Sequence, residues 1–463
     1  MKKLTLLFLA ACMTLCLIPS VGMIFFPTTK SSENRPLSEK PQFISEDGSF
    51  NTEFFEDLQT YFNERVALRN QMVYTDAQIQ TNLFAESNVS GVVYGKNDWL
   101  YYSSTKDDYL GRNILSERNL FNIAHNFSLV QEYCDNNGIN FVLTIPPNKN
   151  TLYGENMPYY YSYIVDKNHN AELLKPYLEK QGVNYADMFN LFREQDEPLY
   201  LLRDSHWNMK GACLAYNSLM NYLGLEHNSY SDVEPKTVMN KNGDLNRMLY
   251  SFFGKAEKDY DYNLPVDYTF TSPSDDVEDG WLVTLNSKGK NSLLMFRDSF
   301  ANTLIPFLSN EFETASYSKG QPNAVDRYAQ PNKPDNIIIE IVERNITNYL
   351  ESPPLMASQT LEFNGDFSVE TTDSAINIEP CSHDIGYFTI SGTVDSGYLA
   401  TESEIFVKIG ETYYSSYQTD ENSFMFYLRK SDLANGEIPA EVFVVTNDTA
   451  TQVLSTTLSV PQQ

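Results

Sequence analysis

Between about residues 115 and 350 the chain alternates short, unbroken apolar runs with stretches of helical spacing, and this pattern constrains the fold more than any other feature. The runs are "INFVLTIPP" (139–147), "SLLMFR" (292–297) and "NIIIEIVER" (336–344). An apolar run without polar alternation makes a strand buried on both faces, which requires a parallel sheet covered by helices on either side. Helices are predicted between the runs. Ser116 caps one that ends near Asn136-Asn137-Gly138; "AELLKPYLEKQG" (171–182) is a second, and Asn208 caps a third, "MKGACLAYNSLMNYLG" (209–224). "PLYLLRD" (198–204) reads as a further strand, "ANTLIPFLSN" (301–310) as a helix, and 228–288 as an insertion. Upstream, 50–79 places Phe54, Phe55, Leu58, Tyr61, Phe62, Val66 and Leu68 at helical spacing, and "SGVVYGKNDWLYY" (90–102) pairs strand composition with a turn at Gly95–Asp98.

From about residue 359 the helical periods stop. Short runs such as "YFTISGTVDS", "EIFVKIGETYYSSYQ" and "AEVFVVTND" are broken by Gly, Asp and Asn, the pattern of a small β-sandwich. The expected division is a membrane anchor or signal segment (1–27), a polar tether (28–48), an α/β domain (49–358) and a β-sandwich domain (359–463), the last read as a glycan- or partner-binding module or a rigid spacer. The first segment runs without charge from Leu4 to Pro27, enough to cross a bilayer, which takes about 20 residues. Lys2 and Lys3 hold its start on the cytoplasmic side and send the body outward. Anchor, cleaved signal and a lipoprotein site at Leu9-Ala10-Ala11-Cys12 stay open, and all three place the body outside the cell membrane.

The 61 acidic residues against 33 basic ones, a net charge of −28, disfavour nucleic acid and anionic lipid as partners. Cys134, Cys213 and Cys381 are too widely spaced for a zinc signature or a disulfide framework and read as small buried residues. "SPSDDVEDG" (272–280) clusters carboxylates without calcium-loop spacing. No metal or cofactor is expected.

Open α/β sheets carry their ligand sites at the carboxyl ends of the strands, and two such ends hold suggestive chemistry. In "RDSHWNMKGA", one of only five histidines, His206, stands two residues after Asp204. Asp204 can hydrogen-bond one ring nitrogen and leave the other as a base, with Trp207 and Ser205 directed away. In "FRDSF", Ser299 falls at a strand-to-helix turn, where backbone N–H groups can stabilise an oxyanion. A serine there is either a nucleophile or an ordinary helix cap. The tyrosine-rich "MPYYYSYI" (157–164) suits either sugar stacking or packing.

The order Asp204-x-His206-Trp207 followed by Asp298-Ser299-Phe300 resembles the extracytoplasmic SGNH-hydrolase-like family of alginate O-acetyltransferases and their Gram-positive relatives, the DHHW proteins. "ENRPLSEKP" (33–41), "YFNERVALRN" (61–70), "GKNDWLYY" (95–102), "IPPNKNTLYGENMP" (145–158), "GDLNRML" (243–249) and "EIVERNI" (340–346) match family segments in family order, over about residues 30–350. Two positions depart: Ser205 stands where the relatives have a histidine, and Arg297 where ordinary SGNH hydrolases have the glycine of Gly-Asp-Ser. The resemblance implies an SGNH-hydrolase-like sheet and a triad of Ser299, His206 and Asp204 moving an acetyl group onto a polysaccharide hydroxyl. Arg297, Arg344 and Asn148 are candidate oxyanion or substrate contacts; Arg344 can equally pair with Glu343 or Glu340. The resemblance also implies a membrane-bound O-acyltransferase as acetyl supplier. A carbohydrate acetylesterase with the same triad, or a non-catalytic polysaccharide-binding or assembly protein, are the alternatives the sequence leaves open.

Overall fold

The apolar runs form the centre of a seven-stranded sheet in a computed structural model that describes residues 2–30, 37–44, 48–241, 243–329, 333–370, 372–446 and 448–461. Part of the tether, including Glu33–Pro36 of "ENRPLSEKP", lies outside the described residues. The strands are β1 (Asn140–Thr144), β2 (Tyr185–Ala186), β3 (Thr269–Phe270), β4 (Trp281–Leu285), β5 (Ser292–Arg297), β6 (Thr314–Lys319) and β7 (Asn336–Glu340), in the order β2-β1-β7-β5-β6-β4-β3. β2, β1, β7, β5 and β6 run parallel, and β4 and β3 close one edge antiparallel.

Successive strand residues point to opposite faces, and both faces are dry. Phe141, Leu143, Leu294, Phe296, Ile337 and Ile339 pack toward α1 (Glu117–Asn136) and α2 (Asn170–Lys180). Val142, Leu293, Met295, Ala315, Tyr317 and Ile338 pack toward α3 (Met209–Tyr222) and α4 (Ile305–Glu311). Each Val, Leu, Ile, Phe or Met among them stabilises the fold by about 1.5–3 kcal/mol on burial. Ser116 caps α1 by accepting from Asn119 N, and Asn208 caps α3 by accepting from Lys210 N and Gly211 N.

Three expectations differ. Residues 198–204 are not a sheet strand: Tyr200 bridges only Trp207, and Leu201 N donates back to His206 O at 3.2 Å, so the segment folds on itself. The stretch 228–288 is no mere insertion, since it supplies β3, β4, the hairpin Lys236–Lys241/Glu257–Asp261 and the short helix Asp244–Tyr250. Residues 50–79 form two helices, Phe54–Arg65 and Arg69–Ile79, broken where Leu68 takes φ 62°; Phe55 remains 73% exposed.

The strand-rich end is a two-sheet sandwich of five and four strands. One outer face, with Tyr387, Tyr417 and Tyr427, joins the cluster that holds α1. The other, with Phe406 and Phe443, is covered by Leu361 and Phe363. Along α1, Arg118 reaches Ser403 O, Thr401 O and Gln418 Oε1, while Asn126 donates to Gln418 O at 3.0 Å and accepts from Gln418 N at 2.8 Å. Asp326 accepts from Tyr133, Tyr387 and Arg429. The sandwich is thus docked through buried polar contacts.

Candidate active site

β1, β5 and β7 end side by side; the turns after β5 and β7 carry Ser299 and Arg344, while Asp204 and His206 come from the folded-back stretch and Asp244 from the start of the helix Asp244–Tyr250. After β5, Asp298 Oδ1 accepts from Phe300 N at 2.8 Å and Oδ2 from Val342 N at 2.9 Å, which ties the start of the turn Ser299–Thr303 to the end of β7. Ser299 is the first residue of that turn, where an N–H has no acceptor within the helix. Its Oγ lies 2.8 Å from His206 Nε2, and His206 Nδ1 lies 2.6 Å from Asp204 Oδ1. An ionised carboxylate only accepts, so Nδ1 carries the proton and Nε2 presents its lone pair to the serine hydroxyl. Ser299 and His206 are half-buried and Asp204 is buried.

Asp204 is fixed by more than the histidine. Its Oδ1 also accepts from His206 N at 3.0 Å, and its Oδ2 accepts from Asp244 N at 3.1 Å. Gly243 makes the second contact possible: a Cβ there would stand 2.3 Å from Arg203 O and 2.9 Å from the Asp204 Cβ. Asp244 in turn binds Ser205 N at 2.8 Å and Ser205 Oγ at 2.5 Å, and its Oδ2 stands 3.7 Å from His206 Nδ1. Ser205 therefore does not point away. It holds a second carboxylate against the imidazole. The only sequence signal for Asp244 was the segment "GDLNRML", with its glycine before the acid.

Burial works against a charged His206, but Asp204, through its charge and hydrogen bond, and then Asp244 outweigh it, so the imidazole pKa is raised. Burial and the neighbouring Asp204 charge push the Asp244 carboxyl up. Asp204, His206 and Asp244 bring their ligand atoms within 4.8 Å of one another. Those atoms are engaged within the protein: Asp204 by His206 Nδ1 and by the N–H groups of His206 and Asp244, and Asp244 by Ser205.

The other candidates divide. Arg344 makes no ion pair among the described residues with Glu343 or Glu340; its guanidinium lies 5.4 Å from the Tyr102 ring and 5.7 Å from the Phe300 ring. The Phe300 ring lies 4.8 Å from the His206 ring, tilted at 56°, so Arg344 and His206 both face Phe300. Arg297 does not contact the three residues. It is buried, donating to Val277 O, Asp279 O and Asn302 Oδ1, which latches the acidic loop before β4. Asn148 is fully buried, its Nδ2 donating to Asp108 Oδ2 at 2.8 Å and its N to Glu343 Oε2 at 2.7 Å. With no exposed surface it is a brace between Asp108 and Glu343 and not a substrate contact. Trp207 is buried, donating from Nε1 to Thr303 Oγ1 at 2.6 Å.

Residues 92–288 match the family model of the SGNH hydrolase-like domain of acetyltransferase AlgX, a span that holds Asp204, His206 and Asp244 and ends before Ser299. No curated protein matches the chain. Solved structures with a similar course include Bacillus cereus PatB1, at 18% identity over 55% of this chain and 96% of that one, with a TM-score of 0.43. A DHHW family protein from Eubacterium siraeum gives 15% identity over 49% and 85%, TM-score 0.39. Pseudomonas aeruginosa AlgX gives 14% over 77% and 94%, TM-score 0.36. By its family match, the chain carries over residues 92–288 a domain similar to the SGNH hydrolase-like domain of acetyltransferase AlgX, the family its motifs resemble.

Proposed function

We propose that this protein is an extracytoplasmic O-acetyltransferase that passes an acetyl group through Ser299 to a hydroxyl of a polysaccharide. The observation that carries the reading is the relay of 2.8 Å from Ser299 Oγ to His206 Nε2 and 2.6 Å from His206 Nδ1 to Asp204. Ser299 Oγ attacks the acetyl carbonyl while His206 Nε2 takes its proton; the leaving group then departs with that proton and leaves acetyl-Ser299. In the second half His206 takes the proton of a sugar hydroxyl, the sugar oxygen attacks the acetyl carbon, and Ser299 leaves as its hydroxyl. The Ser299 N–H, at the start of the turn, and Arg344, which faces the Phe300 ring beside His206, are the donors assigned in this reading to the developing oxyanion.

The division at 27, 48 and 358 belongs to the same reading. Helix Lys2–Phe25, 24 residues long, is apolar enough to cross a membrane and would tether the body outside. A membrane-bound O-acyltransferase would then deliver acetyl groups to that side. Incubation with 4-nitrophenyl acetate, with and without a polysaccharide acceptor, tests the reading: ester-linked acetyl on the glycan that depends on Ser299 supports transfer. Acetate alone points to an esterase, and no turnover by a folded protein refutes the proposal.

A further inference from the structure

One buried cation near the site takes no part in the relay. Lys149 opens the short helix Lys149–Tyr153, two residues beyond Pro146-Pro147 at the end of β1, and is 4% exposed. Its Nζ donates to Leu100 O at 2.7 Å, Leu202 O at 2.8 Å and Asp204 O at 3.0 Å. It also lies 5.0 Å from the Trp99 ring and 5.4 Å from the Tyr101 ring. Three carbonyl acceptors are met in full only by the three N–H donors of the ammonium form, which burial disfavours, drawing the pKa down to about 7 against the pull of Glu257, Asp204 and Asp244. Burying an ammonium is costly unless its surroundings repay it, and a solvent-facing lysine would avoid the cost.

The three carbonyls belong to two segments that no regular ladder joins. Leu100 lies in the hairpin Val92–Tyr94/Leu100–Tyr102; Leu202 and Asp204 lie in the folded-back stretch that carries the triad acid. The two segments share one direct backbone bond, Leu100 N to Leu202 O at 2.9 Å, and the stretch is held from other sides by Arg203 N to Glu257 Oε2 at 3.0 Å and Asn246 N to Arg203 O at 2.9 Å. Without Lys149 the Asp204 carbonyl loses the ammonium donor that ties it to the IPPNKN segment. We propose that Lys149 is a positioning residue for the relay, its ammonium drawing the Leu100, Leu202 and Asp204 carbonyls to one point so that the Asp204 carboxylate meets His206 Nδ1 in line. This rests on the triad reading above and adds a residue to it.

The test pairs activity with a signal that does not need activity. In the full chain, Lys149→Met keeps the stem and removes every donor; Lys149→Gln keeps two donors and serves if the first variant does not fold. Circular dichroism first establishes the folded state. With 4-nitrophenyl acetate, kcat is expected to fall about 10²-fold with KM within threefold, as for a displaced catalytic group. The proton spectrum of the wild type is expected to show a downfield His206 Nδ1–H resonance, identified by its loss in His206→Ala, and Lys149→Met is expected to lose or broaden it. In an Asp204→Asn background Lys149→Met should cost no further activity, because both act through one contact. A folded Lys149→Met with wild-type kcat and an unchanged Nδ1–H resonance overturns the inference. If the wild type shows that resonance but no turnover, the acetyltransferase reading fails, and loss of the resonance in Lys149→Met still supports the positioning role.

Discussion

The triad site and the docking face of the β-sandwich are both built from buried polar side chains, but they differ in where the partners lie along the chain. At the site, Asp204 and His206 are two residues apart and Asp244 is brought in by a single glycine turn. At the docking face, Arg118, Asn122 and Asn126 succeed one another every four residues along α1 and meet acceptors about 300 residues away. The site concentrates its polar groups on one imidazole and leaves Ser299 half-open. The docking face pairs its groups with backbone carbonyls and leaves little to react. One arrangement suits chemistry and the other suits cohesion, so substitutions should separate them.

The largest separation is expected at His206. His206→Ala should lower kcat for 4-nitrophenyl acetate by about 10⁴-fold, the scale seen when a triad base is lost, while the melting temperature stays near wild type. Arg118→Met should do the reverse. It leaves the carbonyls of Thr401 and Ser403 and the Gln418 side chain without their donor and should cost about 2–4 kcal/mol by thermal or urea unfolding, with kcat unchanged at temperatures where the protein is folded. If Arg118→Met abolishes turnover in the folded state, the two regions are coupled and the contrast fails.

Asp244→Asn should act in between, lowering kcat about tenfold to 10²-fold through a misplaced Asp204. It also carries a pH signature. His206 must be neutral to act as base, and its pKa is raised, so activity should climb with pH through a midpoint above the ordinary histidine value. Removing the Asp244 charge should move that midpoint down. The linkage has a definite sign: the raised pKa gives His206 a stabilising contribution that is full below its unfolded pKa and is lost as pH rises through the folded one. A pH–rate midpoint that does not move in Asp244→Asn would remove the second carboxylate from the account. The smallest effect is expected at Arg297. Arg297→Gln should loosen the 277–279 loop and lower the melting temperature, with kcat within about threefold, because the guanidinium contacts that loop and Asn302.

This contrast also explains what the sequence made legible. The parallel core could be read because unbroken apolar runs have few other fates; Ser299 could be marked by its place after a true strand, and Asp204 and His206 by their two-residue spacing and the motif order, although the strand expected before them is not there. Asp244 could not be read from spacing, since its role depends on Gly243 letting one backbone approach another. Residues 198–204 misled because their apolar composition suits a strand, while Tyr200, whose hydroxyl donates to Pro147 O at 2.5 Å, and the return bond to His206 turn the segment back. Arg297 was marked because it stands where ordinary SGNH hydrolases have the glycine of Gly-Asp-Ser, yet its guanidinium donates to Asp298 O, Asn302 Oδ1 and the 277–279 loop, none of them in the relay. The docking of the sandwich on α1 was illegible for the same reason that it is stable: its contacts join scattered single residues, and no motif marks them. With one outer sheet face on α1 and buried hydrogen bonds from Arg118 and Asn126 across that contact, the sandwich is held as part of the body instead of hanging as a free module.

The most direct test of the central claim is the intact mass of the full chain after brief exposure to 4-nitrophenyl acetate, quenched in acid, beside Ser299→Ala. A gain of one acetyl group located on Ser299, absent from the variant, is the predicted result. An acetyl group that persists in folded Ser299→Ala, or a wild type that turns the ester over while any trapped acetyl sits elsewhere, would contradict the assignment of Ser299 as the nucleophile.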